Sequence, residues 1–300
     1  MGPEDPWNAI DRLGPEPEAD EHTSWNDSDV RQHRVSISGL VTPRLQIYVV
    51  GHTDAMVASV PQAEHLVPVD LRRLSVPDPY DTNSLAEGRF LLSREAAQAD
   101  AEYVGMFSAN WSIRFPDLAS LEDLSMLRYV VRPDRVFAAR PSRNWRAQLE
   151  ESHPGMTGVL AEIESATAVP NGRDRTGDGV APFHNTFICH RRHFRELLAF
   201  WHQAFAVAYD RYGLDLPYGY RCETCGHQDP NGIGRYTRDR HAGYLGERIT
   251  MLFFAQRSDL SFWKLPPALP VWGRRRILRT ARWYLGQRRP QRALATSAVQ

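Results

Sequence analysis

Leu45-Gln-Ile-Tyr-Val-Val50, running into Gly51-His52-Thr53-Asp54, is the stretch that decides the fold. A short apolar, β-branched run that stops at a glycine and three polar residues is the pattern of a buried strand. Such a strand delivers small and polar groups to its C-terminal edge. Some thirty residues on, Asp81-Thr-Asn-Ser-Leu-Ala-Glu-Gly-Arg-Phe90 opens a helix, and Ala101-Glu-Tyr-Val-Gly-Met-Phe-Ser-Ala-Asn110 reads as the next strand, ending in Ser108 and Asn110. Strand, helix and strand in that order predict an α/β sheet, and ligands of open α/β sheets bind at the carboxyl edge of the strands.

Outward from this stretch the chain alternates apolar runs with helical patterns. Further strands are expected at Tyr129 to Arg132, Arg135 to Ala139 and Asn185 to His190. The clearest helix is Arg191 to Tyr212, where Phe194, Leu197, Leu198, Trp201, Phe205, Ala208, Tyr209 and Tyr212 recur at three- and four-residue steps, the spacing of a core-facing stripe. A second helix spans Ala242 to Gln256. Residues 1–35 hold Pro3, Pro6, Pro15 and Pro17 with nine Asp or Glu and little apolar period, so they bury too little surface to offset ordering entropy. They read as disordered. Residues 36–268 read as the globular domain, with a loop-rich insertion at 213–240, and 269–300 as a basic amphipathic tail. No repeat of solenoid or propeller period is present.

Taken together, these motifs resemble the bacterial capsular and exopolysaccharide glycosyltransferase-like proteins. The shared features are the opening strand, the Asn83-Ser-Leu-Ala-Glu87 helix start, the Tyr103-Val-Gly105 strand followed by polar residues, His184-Asn-Thr-Phe-Ile-Cys-His190 leading into a long helix, and Tyr244-Leu-Gly-Glu-Arg-Ile-Thr250 opening another. They are scattered over residues 44–266, each short, and their order carries the resemblance. It implies a GT-A-like, Rossmann-type mixed sheet flanked by helices. It also implies transfer of a sugar from a nucleotide-sugar donor to a cell-surface glycan or lipid-linked acceptor at the cytoplasmic face of a membrane.

Several residues then become candidates. His52 and Asp54 stand where the first strand of such a fold meets base or ribose, unless they belong to a solvated loop. Ser84-Leu-Ala-Glu87 matches a capping box; the resemblance instead places Asn83, Glu87 and Arg89 along the donor, beside Ser108 and Asn110. His184 and Asn185 precede a strand, and Glu247 and Arg248 fall near the start of a helix. Glu247 is the expected base that removes the acceptor hydroxyl proton, the alternative being an ordinary ion pair with an arginine. GT-A enzymes usually hold Mn or Mg through an Asp-x-Asp motif, because a hard cation neutralises a diphosphate leaving group. Here Asp100-Ala-Glu102 lies before its strand rather than after it, and Asp174 and Asp178 sit in a glycine-rich turn. Arginines or helix amides are the alternative means of stabilising that charge.

Cys222-Glu-Thr-Cys225-Gly-His227 presents two thiols and an imidazole at zinc-ligand spacing. A tetrahedral structural site would need a fourth ligand such as Cys189, His190 or His241; a redox pair or an incidental thiol loop are the other readings. In Val271 to Arg289, Ile277, Leu278, Ala281, Tyr284 and Leu285 share one helical face and Arg275, Arg279 and Arg282 lie largely opposite, as in helices that rest on anionic membranes; a helix docked on the domain or a solvated arginine-rich tail are the other readings.

Composition narrows the rest. Basic and acidic residues balance at 36 each, which argues against nucleic acid as a partner, and Lys264 is the only lysine. Three cysteines do not make a disulfide framework and point to a reducing cytoplasm. Neither a dinucleotide-binding glycine motif nor a P-loop nor a serine-hydrolase elbow occurs. The competing expectation is a non-catalytic, zinc-stabilised module that binds a membrane surface or a protein.

Overall fold

The computed structural model describes residues 43–77, 85, 87–139, 141–142, 145–146, 156–167, 180–182, 185–212 and 241–267. The acidic 1–35 segment, the 213–240 insertion with Cys222, Cys225 and His227, and the basic 269–300 tail lie outside the described residues.

In chain order the elements are β1 (Leu45–Gly51), α1 (Asp54–Ala58), β2 (Leu66–Asp70), α2 (Gly88–Leu91), α3 (Arg94–Ala97), β3 (Tyr103–Ser108), α4 (Trp111–Arg114), β4 (Arg135–Ala138), β5 (Pro141–Ser142), α5 (Met156–Ala166), β6 (Ala181–Pro182), β7 (Phe187–His190), α6 (Arg191–Tyr212), α7 (His241–Gln256) and β8 (Ser261–Lys264). Two 3₁₀ segments, Leu71–Arg73 and Glu122–Tyr129, complete them.

The main sheet has the order β2-β1-β3-β7-β4-β8. β1 pairs in parallel with both β2 and β3, and β4 with β8, while β7 runs antiparallel between β3 and β4. This is a mixed α/β sheet flanked by helices. After β1 the chain goes to one side to form β2 and then to the other to form β3. The carboxyl ends of β1 and β3 therefore diverge at a topological switch point, where such sheets open a crevice.

Alternation along the strands assigns the two faces. Tyr48 and Val50 of β1, Val104 and Met106 of β3, and Phe187 and Cys189 of β7 join the cluster covered by α2, α3, α5, α6 and α7. Leu45, Ile47 and Val49, Tyr103 and Phe107, and Ile188 join the opposite cluster, closed by Trp111, Phe115, Leu118, Leu121, Leu124 and Leu127. β1 is buried on both faces, as its near-continuous apolar sequence requires.

α6 spans the residues its period predicts. Its Trp201 is wholly buried and donates its indole N–H to Thr250 Oγ1 on α7 at 2.9 Å. The ring edge fits because two glycines face it. A Cβ on Gly88 would stand 2.7 Å from Trp201 Cη2, and one on Gly246 would stand 2.6 Å from the same atom. α2 and α7 thus approach each other over the end of one indole ring.

Three expectations are corrected. Tyr129 to Arg132 is not a strand: Tyr129 ends a 3₁₀ segment, and the Val130 and Val131 amides donate back to the Leu127 carbonyl at 2.8 and 3.0 Å, so they have no edge to pair with. β7 begins at Phe187 rather than Asn185, because Asn185 has φ 49°, outside extended backbone. α2 begins at Gly88, so Glu87 precedes it instead of standing three residues inside it, and its side chain makes no capping hydrogen bond. Ser84 and Asn83 lie outside the described residues.

Candidate functional site

The carboxyl edge is built from the residue after each parallel strand and from the residue before the reversed one. From β1 it receives Gly51, His52 and Thr53. His52 is exposed, and Thr53 caps α1 by accepting the Met56 amide at 3.2 Å. From β2 it receives Asp70, whose carboxylate accepts from Arg72 at 2.8 and 2.9 Å; Arg72 also bridges to exposed Asp54 at 2.5 Å. The Arg72 hydrogen bonds, opposed by slight desolvation, hold Asp70 down to about 2. From β3 it receives buried Ser108, whose Oγ accepts the Asn110 amide at 3.4 Å, and half-buried Asn110, which opens α4.

β7 contributes Asn185. Met106 and Phe187 are the last antiparallel pair at this end, and Ser108 and Asn185 each lie two residues beyond it, at the same end of the sheet. Asn185 is 2% exposed, and neither its Oδ1 nor its Nδ2 has a hydrogen-bond partner among the described residues. Buried polar atoms without partners are uncommon, and each one asks for an explanation.

A second group gathers at the α2–α7 crossing beside this edge. Glu87 sits on α2's approach and lies 3.4 Å from Arg114 of α4. Because α2 packs on one face of the sheet and α4 on the other, this pair spans the end of β3. Arg89 follows Gly88 and is buried; Glu247 and Arg248 follow Gly246 and are buried as well. The glycine contacts to Trp201 bring these two sequences together across some 160 residues. Arg248 donates to Met251 Sδ at 2.9 Å. Burial lowers the pKa of its guanidinium, and the neighbouring Glu247 only partly offsets this.

The sequence candidates thus fall into two neighbouring groups. His52, Asp54, Ser108, Asn110 and Asn185 lie along the carboxyl edge, and Glu87, Arg89, Glu247 and Arg248 lie at the helix crossing. Asn83 and His184 lie outside the described residues. Arg114 and the Asp70–Arg72 pair were not anticipated. Arg114 could have been noticed as the cation ending the turn after β3, whereas Asp70 and Arg72 were hidden with the strand that carries them.

The described carboxylates at the edge are engaged by an arginine rather than grouped together. Asp54 and Asp70 converge on Arg72, which occupies the position between them, and no group of three or more His, Cys, Asp or Glu among the described residues could hold a metal ion. Cys189, a conceivable fourth zinc ligand, is buried in the sheet, where desolvation pushes its thiol well above the usual range.

No protein-family model matches the chain, and no curated protein matches it. Among solved structures the chain is similar to a bifunctional glycosyltransferase, WbbM, in its apo form, at 13% identity and a TM-score of 0.39. The match covers 77% of this chain and 48% of that one, so the chain spans about half of that protein's length.

Proposed function

We propose that the chain is a nucleotide-sugar-dependent glycosyltransferase that places a sugar on a surface glycan or lipid-linked acceptor. The observation that carries this reading is the buried charge at the α2–α7 crossing, beside the carboxyl edge of a mixed α/β sheet. A guanidinium whose burial works against its own charge, as at Arg248, gains from an anion, and the diphosphate of a sugar nucleotide supplies one. The order of short motifs along the sequence supports the same assignment.

In this reading Arg89 and Arg248 hold the diphosphate, and His52, Asp54 and Asn110 face the nucleoside, with Asn83 and His184 in the same site. The acceptor hydroxyl oxygen attacks the anomeric carbon while Glu247 takes its proton. The bond from that carbon to the phosphate oxygen breaks, and the nucleoside diphosphate leaves with the electron pair, its charge met by the two guanidiniums. Fixed donors stabilise that charge without reorganising, and binding supplies the proximity. The basic segment 271–289 would hold the enzyme against an anionic membrane carrying its acceptor.

A thermal-shift screen against uridine, guanosine, thymidine and cytidine diphosphate sugars, with and without manganese, tests the assignment. One nucleotide class should raise the Tm by mass action, and Arg248→Gln and Glu87→Ala should reduce the shift. Glu247→Gln should keep the shift and lose about 100- to 10,000-fold in release of the nucleoside diphosphate. Folded protein that responds to no donor would remove the transferase reading.

A further inference from the structure

We infer that Asn185 and Ser108 form an uncharged subsite that holds the sugar of the donor, apart from the charged cluster that meets its diphosphate. The inference rests on the transferase reading and assigns these two residues within it. Asn185 offers one acceptor, Oδ1, and one donor group, Nδ2, both buried and both without partners among the described residues. At the same end of the sheet, likewise two residues beyond the last β3–β7 pair, the Ser108 oxygen accepts the Asn110 amide, which leaves the hydroxyl proton to donate elsewhere. Together they present donors and an acceptor with no formal charge. A phosphate would call for cations and a metal ion for carboxylates; a sugar ring calls for this set, because each of its hydroxyls both donates and accepts.

Backbone geometry separates the side chain's role from the fold's. The φ of 49° at Asn185 is a left-handed conformation that asparagine tolerates and glycine tolerates better. The turn into β7 therefore needs no amide, and the fold gains nothing from burying two unmatched polar atoms there. A ligand with complementary hydroxyls gives the side chain a purpose. Ser108 continues the row of Val104 and Met106 on the face covered by α2 and α7, so the sugar would lie on the same side as the charged cluster.

The test uses isothermal titration of the full chain and of Asn185→Gly with UDP-glucose and UDP, GDP-mannose and GDP, and dTDP-glucose and dTDP. For the nucleotide that binds, the wild type should hold the sugar nucleotide about tenfold or more tighter than the nucleoside diphosphate. Asn185→Gly should fold with an equal or higher Tm, keep its affinity for the diphosphate within about twofold, and lose the preference for the sugar. Ser108→Ala should lose part of that preference in the same direction. A preference that survives Asn185→Gly, equal weakening of both ligands, or a wild type that binds both alike would overturn the inference and leave the transferase reading standing. A wild type that binds neither ligand would overturn both.

Discussion

At Gly246 a single hydrogen in place of a methyl group decides whether α7 can meet α2. Alanine is the better helix former by about 1 kcal/mol, but its Cβ would stand 2.6 Å from a fully buried indole carbon. Trp201 cannot retreat, because its N–H is tied to Thr250 and its ring is enclosed. Overpacking of this kind costs about 1–3 kcal/mol, so Gly246→Ala is expected to lower the denaturant midpoint despite its favourable propensity. Gly158, in the first turn of α5, is the control. It is exposed, and an added Cβ meets nothing within 4 Å. Gly158→Ala should therefore stabilise the protein by about 0.5–1 kcal/mol. Opposite signs for the two substitutions would establish that the crossing, not helix propensity, sets the glycine at 246; equal signs would refute it.

Between elements, the edge of the sheet remote from the candidate site is closed by a buried polar network. His193 near the start of α6 sets its Nε2 2.8 Å from the Pro133 carbonyl, and its Nδ1 lies 2.9 Å from Arg257 Nη2 and 3.2 Å from the Glu196 carboxylate. Arg257, just beyond α7, also bonds to Asp259 at 2.6 and 2.7 Å and to Glu196. The network joins the start of α6, the end of α7 and the approach to β4. Burial raises the Glu196 pKa, but the His193 and Arg257 hydrogen bonds and the Arg257 charge outweigh it and hold the carboxyl at about 2, below its ordinary 4.5. A depressed folded-state value means that this stabilisation is complete above pH 4.5 and disappears as pH falls toward 2. With the Glu196 side chain still 22% exposed, the contribution is about 1–2 kcal/mol. Glu196→Gln should flatten that part of the stability–pH curve in urea titrations and lower stability at neutral pH; an unchanged acid limb would refute the assignment.

The same scale explains what the sequence made legible. β1 and α6 appeared with their observed bounds because each carries a long, uninterrupted pattern, apolar and β-branched in one and a 3.6-residue stripe in the other. β2 escaped notice because Leu66-Val-Pro-Val-Asp70 contains Pro68. The strand tolerates that proline because it lies at the sheet edge. β8, only Ser261 to Lys264, lies at the other edge and is too short for a period to show. At the site, polar residues ending β1 and β3 could be foreseen from strand endings. The convergence of Glu87 and Arg89 with Glu247 and Arg248 could not, because it depends on two glycines meeting one tryptophan.

For the whole molecule, a mixed sheet with its switch point at β1 and β3 fixes where a ligand would sit without fixing what the ligand is, since one architecture hosts many chemistries. No helix among the described residues is long and apolar enough to cross a membrane. On the transferase reading with a lipid-linked acceptor, a surface attachment would bring the chain to it, and the sequence offers a candidate in 271–289. That segment carries seven arginines, and each adds about 1 kcal/mol when it lies near an anionic leaflet, an attraction that salt screens. The full chain should therefore float with vesicles containing phosphatidylserine at low ionic strength and be released as salt is raised, while a chain truncated after Pro270 stays behind in either condition. Flotation that ignores salt, or that survives the truncation, would assign membrane attachment to another surface and leave the tail without this role.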